Sequence, residues 1–277
     1  MLGIVADMLG SRERMNGYNM TQFGQSLPTR LGLQVLIDAV FEIRFTPKQG
    51  VADLLPGVLL HAFDEKPRVE RLPLADVPQQ VRAMQPDLAG QPLVRLVWPT
   101  HSIFIGDSLL GVACSLPYPG WKKFKNIIDT LVNNDSIHDV VNPPTRFSLK
   151  YVDFLPDSEF DGIKDKLNWQ VSIAGNSIVD TPLSLRNERV IDGYACVMEV
   201  HSPAQVQVQA TEVGVPAQKF GTIVSFDLIK NSQPNSNWDE FLEVFDSQVE
   251  FLHAEVKKRF FECLAPEVFK LLNPSYD

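Results

Sequence analysis

The chain has 277 residues, of which 44% are apolar and 21% charged, and this composition predicts a soluble globular protein with one large domain or two ordinary ones. Its net charge of −9 argues against a general nucleic-acid binder, because such proteins displace counterions with a basic surface. No apolar run approaches the roughly 18 residues that a membrane-spanning helix requires, so a membrane protein is not expected.

The N-terminal segment, residues 1–26, lacks a clean hydrophobic periodicity and is predicted to be a flexible arm. Its short apolar part is interrupted by Asp7 and follows no basic residue, so a signal peptide is not expected. The cysteines Cys114, Cys196 and Cys263 form no C-x-x-C pair, and their odd number argues against a disulfide framework. We therefore expect a cytoplasmic protein.

Residues 27–142 are predicted to form a first sheet-plus-helix repeat. Phe41, Ile43 and Phe45 alternate with charged residues, which indicates a half-buried strand. The next elements are a short helix broken by proline, a strand within a polar connecting segment, three further strands and an amphipathic helix, at 51–62, 69–72, 93–99, 101–106, 109–115 and 121–133.

Residues 143–277 are predicted to form a second sheet-plus-helix repeat, with Asn142-Pro143-Pro144 as the boundary. Five stretches carry a β pattern, at 146–156, 169–175, 183–191, 194–202 and 221–229. The last helix begins at Trp238 behind a cap at Ser236 or Asn237, and its apolar residues recur every three or four positions. Such a helix can cover one face of a sheet.

The two repeats share sequence features. WKKFKNIID, from Trp121, and WDEFLEVFD, from Trp238, place Trp, Phe and Asp at matching positions. A strand that ends in F-x-P opens each repeat, at Phe45 and at Phe154. We therefore predict an α+β fold of two similar antiparallel-sheet-plus-long-helix units, an internal duplication that is helix-grip or SecB-like in plan. The alternative is that amphipathic helices resemble each other because they share a period.

The sequence assigns no catalytic, cofactor-binding or metal-binding residue. Glu250 and His253 form one Glu-x-x-His motif on the last helix, whereas a di-iron bundle needs two. We therefore interpret them as a surface pair. Four acidic residues follow the second F-x-P strand, and such a cluster either binds a metal or forms a solvated loop: Asp153, Asp157, Glu159 and Asp161.

Two other features favour packing over chemistry. Cys114 and Cys196 lie in strands, where buried packing is their expected role. The stretch WKKFK mixes aromatic and basic residues, as surfaces that bind single-stranded nucleic acid do. The acidic total charge favours lysines that face water, so nucleic-acid binding is not expected.

The stretch LPTRLGLQVLIDAVFEIRFTP…LLPGVLL, residues 27–60, resembles the N-terminal signature of a sporadically distributed prokaryotic family of unassigned function, with its V-F-E-I-R-F strand and L-P-G motif. RFSLKYVDFLP, SFDLI and FLHAEVKKRFFECLAPEVFKLL resemble the central strand, the late strand, and the C-terminal helix with its short tail helix. LKYVDF departs from the Arg-Tyr-Ile-Asn-like stretch of many members. The resemblance implies no catalytic residue, and the family's patchy distribution implies a toxin–antitoxin or phage-defence context.

Two function classes stay open at this point. The first is a non-enzymatic protein- or ligand-binding factor, which is antitoxin-like, chaperone-like or a phage-defence accessory protein. It would bind a protein partner or a peptide client, with a homodimer as a further option and no cofactor. The alternative is a metal-dependent hydrolase or nuclease that uses the Asp153/Asp157/Glu159/Asp161 cluster. The acidity and the lack of a recognisable catalytic motif favour the first class.

Overall fold

The computed structural model describes residues 27–48, 50–160, 165–178, 181–208, 217–232 and 237–276. The fold is mixed α+β, with a large antiparallel sheet and several helices. The strands are β1 Arg30–Leu31, β2 Leu36–Phe45, β3 Arg68–Arg71, β4 Val94–Val97, β5 His101–Ile105, β6 Leu109–Cys114, β7 Pro144–Pro156, β8 Ser172–Ile173, β9 Asn176–Ser177, β10 Leu183–Ile191, β11 Tyr194–Val208, β12 Ala217–Asn231 and β13 Pro274–Ser275. The α-helices are α1 Val51–Leu59, α2 Gln79–Ala83, α3 Pro86–Ala89, α4 Trp121–Val132, α5 Asp135–Val140, α6 Trp238–Cys263 and α7 Pro266–Leu271.

The chain divides into two compact units. In the smaller unit, whose described residues are 27–34 and 272–276, β1 pairs antiparallel with β13. The larger unit, Val35–Leu271, contains all the other elements. The predicted arm at 1–26, the alternative cap Ser236 and the acidic residue Asp161 lie outside the described residues.

The larger unit is built on a nine-stranded sheet with the order β10-β11-β12-β7-β2-β6-β5-β4-β3, in which all neighbours are antiparallel. The strands that open the two predicted repeats, β2 and β7, pair with each other. Within the sheet, the last strand of each predicted repeat pairs with the strand that opens that repeat, β6 with β2 and β12 with β7. Both predicted repeats therefore contribute to one sheet, and the boundary at 142–144 lies directly before β7.

Strand prediction fails for much of one segment. Of residues 169–175, which carry a β pattern, only Ser172–Ile173 forms a strand, in a separate hairpin with β9. Both strands of this hairpin are exposed, so no core contact extends them. The sequence also did not predict α2, α3 and α5, because helices of four to six residues are too short to show a periodic face.

One face of the sheet is covered by helices, and we call it the helix face. Phe41 of β2 and Phe147 of β7 point into this face and are buried. The α6 rings pack on them, with centroid distances of 5.9 Å from Phe245 to Phe41 and 5.6 Å from Phe241 to Phe147. At 26 residues α6 is about 39 Å long, enough to cross several strands. None of the helices in the described ranges is long and apolar enough to cross a membrane.

The start of α6 is fixed by a capping box. The Asn237 side chain accepts from the Glu240 N–H at 2.9 Å, and the Glu240 side chain accepts from the Asn237 N–H at 3.3 Å. The two groups thus satisfy backbone donors that the first helical turn leaves free. The predicted cap at Asn237 is confirmed.

Candidate functional site

Each tryptophan that opens a long helix stacks on a histidine of the other predicted repeat. The Trp121 ring lies 4.1 Å from the His253 ring with an interplanar angle of 5°, and the Trp238 ring lies 4.0 Å from the His138 ring at 18°. The Trp121 Nε1–H also donates to Glu250 Oε2 at 2.8 Å. The Glu-x-x-His pair therefore holds α4 against α6.

A chain of hydrogen bonds continues from this contact into the sheet. The Tyr151 hydroxyl lies 2.9 Å from His253 Nδ1 and 3.1 Å from the Tyr118 hydroxyl. Burial raises the pKa of both tyrosines. Burial, and then the charge of Lys257, lowers the pKa of His253 to about 3. At neutral pH the three side chains of this hydrogen-bonded row are thus uncharged, with protonated tyrosines and an unprotonated imidazole. Their polar atoms bond to one another. This arrangement serves packing.

The described carboxylates of the acidic cluster do not share a site. Asp153 lies on the helix face of β7 and is only 5% exposed, and burial raises the pKa of its carboxyl to about 8. Asp157 follows β7 in a 3₁₀ turn and accepts from Lys166 Nζ at 2.7 Å. Glu159, in the same turn, lies 4.0 Å from Lys219. Within the described ranges, no three His, Cys, Asp or Glu side chains are placed to hold a metal ion.

The cysteines are free thiols in buried or half-buried positions. Cys196 is buried, as the strand pattern predicts. Burial, and then the charge of Asp38, raises the pKa of Cys114 to about 12, so its thiol is a poor nucleophile at neutral pH.

A cavity of about 400 Å³ lies beside the N-terminus of α1 and is lined by Asp53, Arg71, Asp76, Arg82 and Asp107 among others. Arg82 is only 6% exposed. Its Nε and Nη2 donate to Asp107 Oδ2 at 3.0 and 2.7 Å, and its Nη1 donates to the Val77 carbonyl. Each of the three guanidinium nitrogens therefore donates a hydrogen bond within the protein.

The opposite face of the sheet, which we call the open face, carries a row of charged side chains across four strands and the edge strand. We call this row the charge ladder. Its members are Arg186, Glu199, Asp227, Lys150, Arg146 and Glu42.

Ion pairs join the members of the charge ladder. Arg186 Nη1 donates to Glu199 Oε1 at 2.6 Å, and Lys150 Nζ donates to Glu199 Oε2 at 3.4 Å. Arg146 Nη2 donates to Glu42 Oε1 at 3.3 Å. The side chains of Lys150 and Arg146 are 37% and 36% exposed, so the row is within reach of a partner.

Two atoms of the charge ladder have unused hydrogen-bonding capacity. Asp227 Oδ1 and Arg146 Nε are buried, and neither has a hydrogen-bond partner among the described residues. Burial raises the pKa of Asp227, which the charge of Lys150 opposes. Buried polar atoms without a hydrogen-bond partner are rare in folded proteins, so these two are unusual features of the charge ladder.

The sequence shows the charges of each strand but not their row, because the row depends on strand register. Glu42 and Arg44 alternate with apolar residues in β2, as Arg146 and Lys150 do in β7. Comparison with protein-family models, curated proteins and solved structures found no match to this chain. Its function must be inferred from its own residues.

Proposed function

We propose that the protein is a non-enzymatic binding factor that docks a polypeptide partner on the open face of its sheet. The charge ladder is the observation that carries the proposal. Its three acidic and three basic groups give the row no net charge. A polypeptide with side chains of both signs can complement such a row, whereas a polyanion would meet as many acidic as basic groups.

The open face suits a partner better than the space between the sheet and its helices. That space is filled by Phe41, Phe147, Phe241 and Phe245, whose rings contact one another. A peptide client of the helix-grip or SecB-like kind would have to displace these rings, at the cost of buried apolar area. A client on the open face needs no such rearrangement.

The family resemblance favours an accessory role in a toxin–antitoxin or phage-defence context. In that role the protein would act as an antitoxin-like or chaperone-like factor. A cytoplasmic location fits the three free cysteines. The net charge of −9 favours a basic partner over nucleic acid.

We further infer that the two sheet-plus-helix repeats arose by internal duplication. The two tryptophan–histidine stacks are reciprocal, each with its rings in different repeats, as a two-fold related pair requires. Trp121 contacts Phe124 at 6.2 Å and 81°, and Trp238 contacts Phe241 at 5.7 Å and 83°. Near-equal edge-to-face geometry at matching positions supports a shared origin over a coincidence of helical period.

The test is affinity capture from the native host with wild-type protein and two charge-reversed variants. Lys150→Glu changes the charge ladder, and Lys123→Glu makes the same change on the exposed side of α4. We expect a partner that wild type and Lys123→Glu retain and that Lys150→Glu binds at least tenfold more weakly. Thermal unfolding of both variants controls for folding.

The proposal is wrong if Lys150→Glu retains every specifically captured protein at wild-type affinity. It is equally wrong if both reversals weaken capture to the same extent, because the effect would then follow from total charge.

A further inference from the structure

The edge strand β10 is long and regular. It pairs with β11 through nine consecutive residues, without a register shift. The two strands are joined by Asp192-Gly193, where φ is 49° and 81°, as a tight hairpin turn with two left-handed residues requires. In the described ranges no strand pairs with the outer side of β10. Its outward N–H and C=O groups are therefore available to another strand.

The two edges of the sheet differ in their protection. The opposite edge strand, β3, has four residues and lies between Pro67 and Pro73. Short strands and prolines are common devices against edge-to-edge pairing. β10 contains neither proline nor glycine and has no bulge against β11. Val190, near the C-terminal end of β10, is 77% accessible.

We propose that β10 pairs antiparallel with β10 of a second copy of this chain, about a two-fold axis at Asn187, so that one sheet runs through both copies. Charge complementarity favours a second copy as the partner, although Arg186 also donates to Glu188 of its own strand at 2.8 Å. In this register Arg186 of each copy lies opposite Glu188 of the other, and both lie on the open face. Leu183 of each copy lies opposite Ile191 of the other, on the helix face.

The registers next to this one are unfavourable. A register centred between two residues would place open-face side chains opposite helix-face side chains, and the two sheets could not be continuous. A centre at Arg186 places the two guanidinium groups opposite each other, and a centre at Glu188 does the same for two carboxylates. Like charges directly opposite destabilise a strand pair. The centre at Asn187 pairs unlike charges twice, as the symmetry of an isologous contact requires.

Charge reversal with complementation tests the dimer. In Arg186→Glu and in Glu188→Arg each charge faces a like charge, so each variant should dissociate at least tenfold more readily than wild type. An equimolar mixture restores both pairs across the edge, so it should form heterodimers. Arg68→Glu, the same change on the other edge strand, should leave the dimer intact. Sedimentation velocity across a concentration series measures these four samples and wild type.

A cysteine at the axis tests the register. Directly opposite Cα atoms of antiparallel strands lie about 4.5–5.5 Å apart, within the roughly 4.4–6.8 Å range of disulfides. Asn187→Cys should therefore form a disulfide-linked dimer under mild oxidation. Leu185→Cys, on the same face, lies opposite Arg189 of the other copy and should cross-link at least tenfold more slowly. Wild-type protein, with its three native thiols, gives the background.

The proposal is overturned if wild-type protein is monomeric at 100-fold the concentration used for capture, or if the mixture of reversed variants stays monomeric. Equal cross-linking of both cysteine variants would overturn the register. These outcomes concern the oligomeric state and not the partner of the open face. Lys150→Glu replaces no residue of β10 and should remain dimeric, so the two proposals can fail separately.

Discussion

Asp153 shows how one buried side chain ties stability to pH. Its carboxyl has a pKa of about 8 in the folded protein, raised from 3.8 by burial. Between these values the unfolded chain releases a proton that the folded protein keeps. The contribution of Asp153 to stability is therefore complete below about pH 4 and is lost as the pH rises toward 8.

We predict that Asp153→Asn, which imitates the protonated acid, flattens the fall in stability between pH 5 and pH 8. Linkage gives a slope of at most about 1.4 kcal/mol per pH unit for one group. Urea denaturation of the variant and wild type at several pH values measures the difference. As a control, Asp157→Asn should retain the wild-type slope because Asp157 is exposed and paired with Lys166. Parallel pH profiles for Asp153→Asn and wild type would contradict the prediction.

The capping box of α6 is a second residue-scale feature. We predict that Asn237→Ala lowers the free energy of unfolding by about 1 kcal/mol, because an N–H of the first turn loses its acceptor. Asn237→Asp keeps an acceptor oxygen and should stay within about 0.5 kcal/mol of wild type. Chemical denaturation with a common slope tests both. An equal loss in both variants would show that the side-chain acceptor is not the cause.

The buried position of Asp153 follows from the period of its strand. Phe147, Leu149 and Tyr151 alternate toward the helix face, and Asp153 continues that alternation. The two-residue period of the strand therefore places the Asp153 side chain on the buried helix face. It does not share a site with Asp157, which follows the strand. The contact of Trp121 with Glu250 and His253 is different, because it joins positions far apart in sequence and depends on how α4 meets α6.

At the scale of elements, α4 and α6 begin with the same pair of side chains, a tryptophan and a phenylalanine three residues later. Phe124 and Phe241 are both buried, and each contacts the tryptophan that opens its helix. Their outer surfaces differ, with Lys122 and Lys123 on α4 and Glu243 on α6. The shared feature lies toward the core, and the difference lies toward the solvent.

We predict that Phe124→Ala and Phe241→Ala destabilise the protein by similar amounts, about 3–5 kcal/mol each, because each removes a buried ring and leaves a cavity. Val244→Ala, on the exposed side of α6, should cost less than about 0.5 kcal/mol. Denaturant unfolding measures the three variants. A difference above about 2 kcal/mol between the two phenylalanine variants would argue against equivalent packing.

Strong local patterns made most elements predictable. The alternation in β2 and β7 and the apolar stripe of α6 gave strands and a helix close to the observed ones. The segment 169–175 failed because its β pattern has no core to pack on. The charge ladder and the free edge of β10 were not predictable, since both follow from strand order and register rather than from any one stretch.

At the scale of the whole molecule, the antiparallel pairing of β2 with β7 joins the strands of both predicted repeats in one sheet. Neither set of strands can separate without breaking the middle of the sheet. The larger unit should therefore unfold as one cooperative body, although its length would allow two domains.

We predict coincident unfolding transitions for the two repeats. Two variants that keep one tryptophan each, Trp121 or Trp238, report on α4 and α6 by fluorescence. Their urea midpoints should agree with each other and with the midpoint from circular dichroism. Two separated midpoints would show that the repeats unfold independently.

The central pairing of β2 with β7 also has a consequence for synthesis. β2 ends at Phe45, whereas β7 begins at Pro144, so about 100 residues must be translated before β2 meets this neighbour. At about 5–20 residues per second the growing chain presents one side of β2 unpaired for roughly 5–20 seconds. The nascent protein is therefore most exposed to aggregation before its second half has left the ribosome. The unpaired side of β2 is covered once β7 has been synthesised.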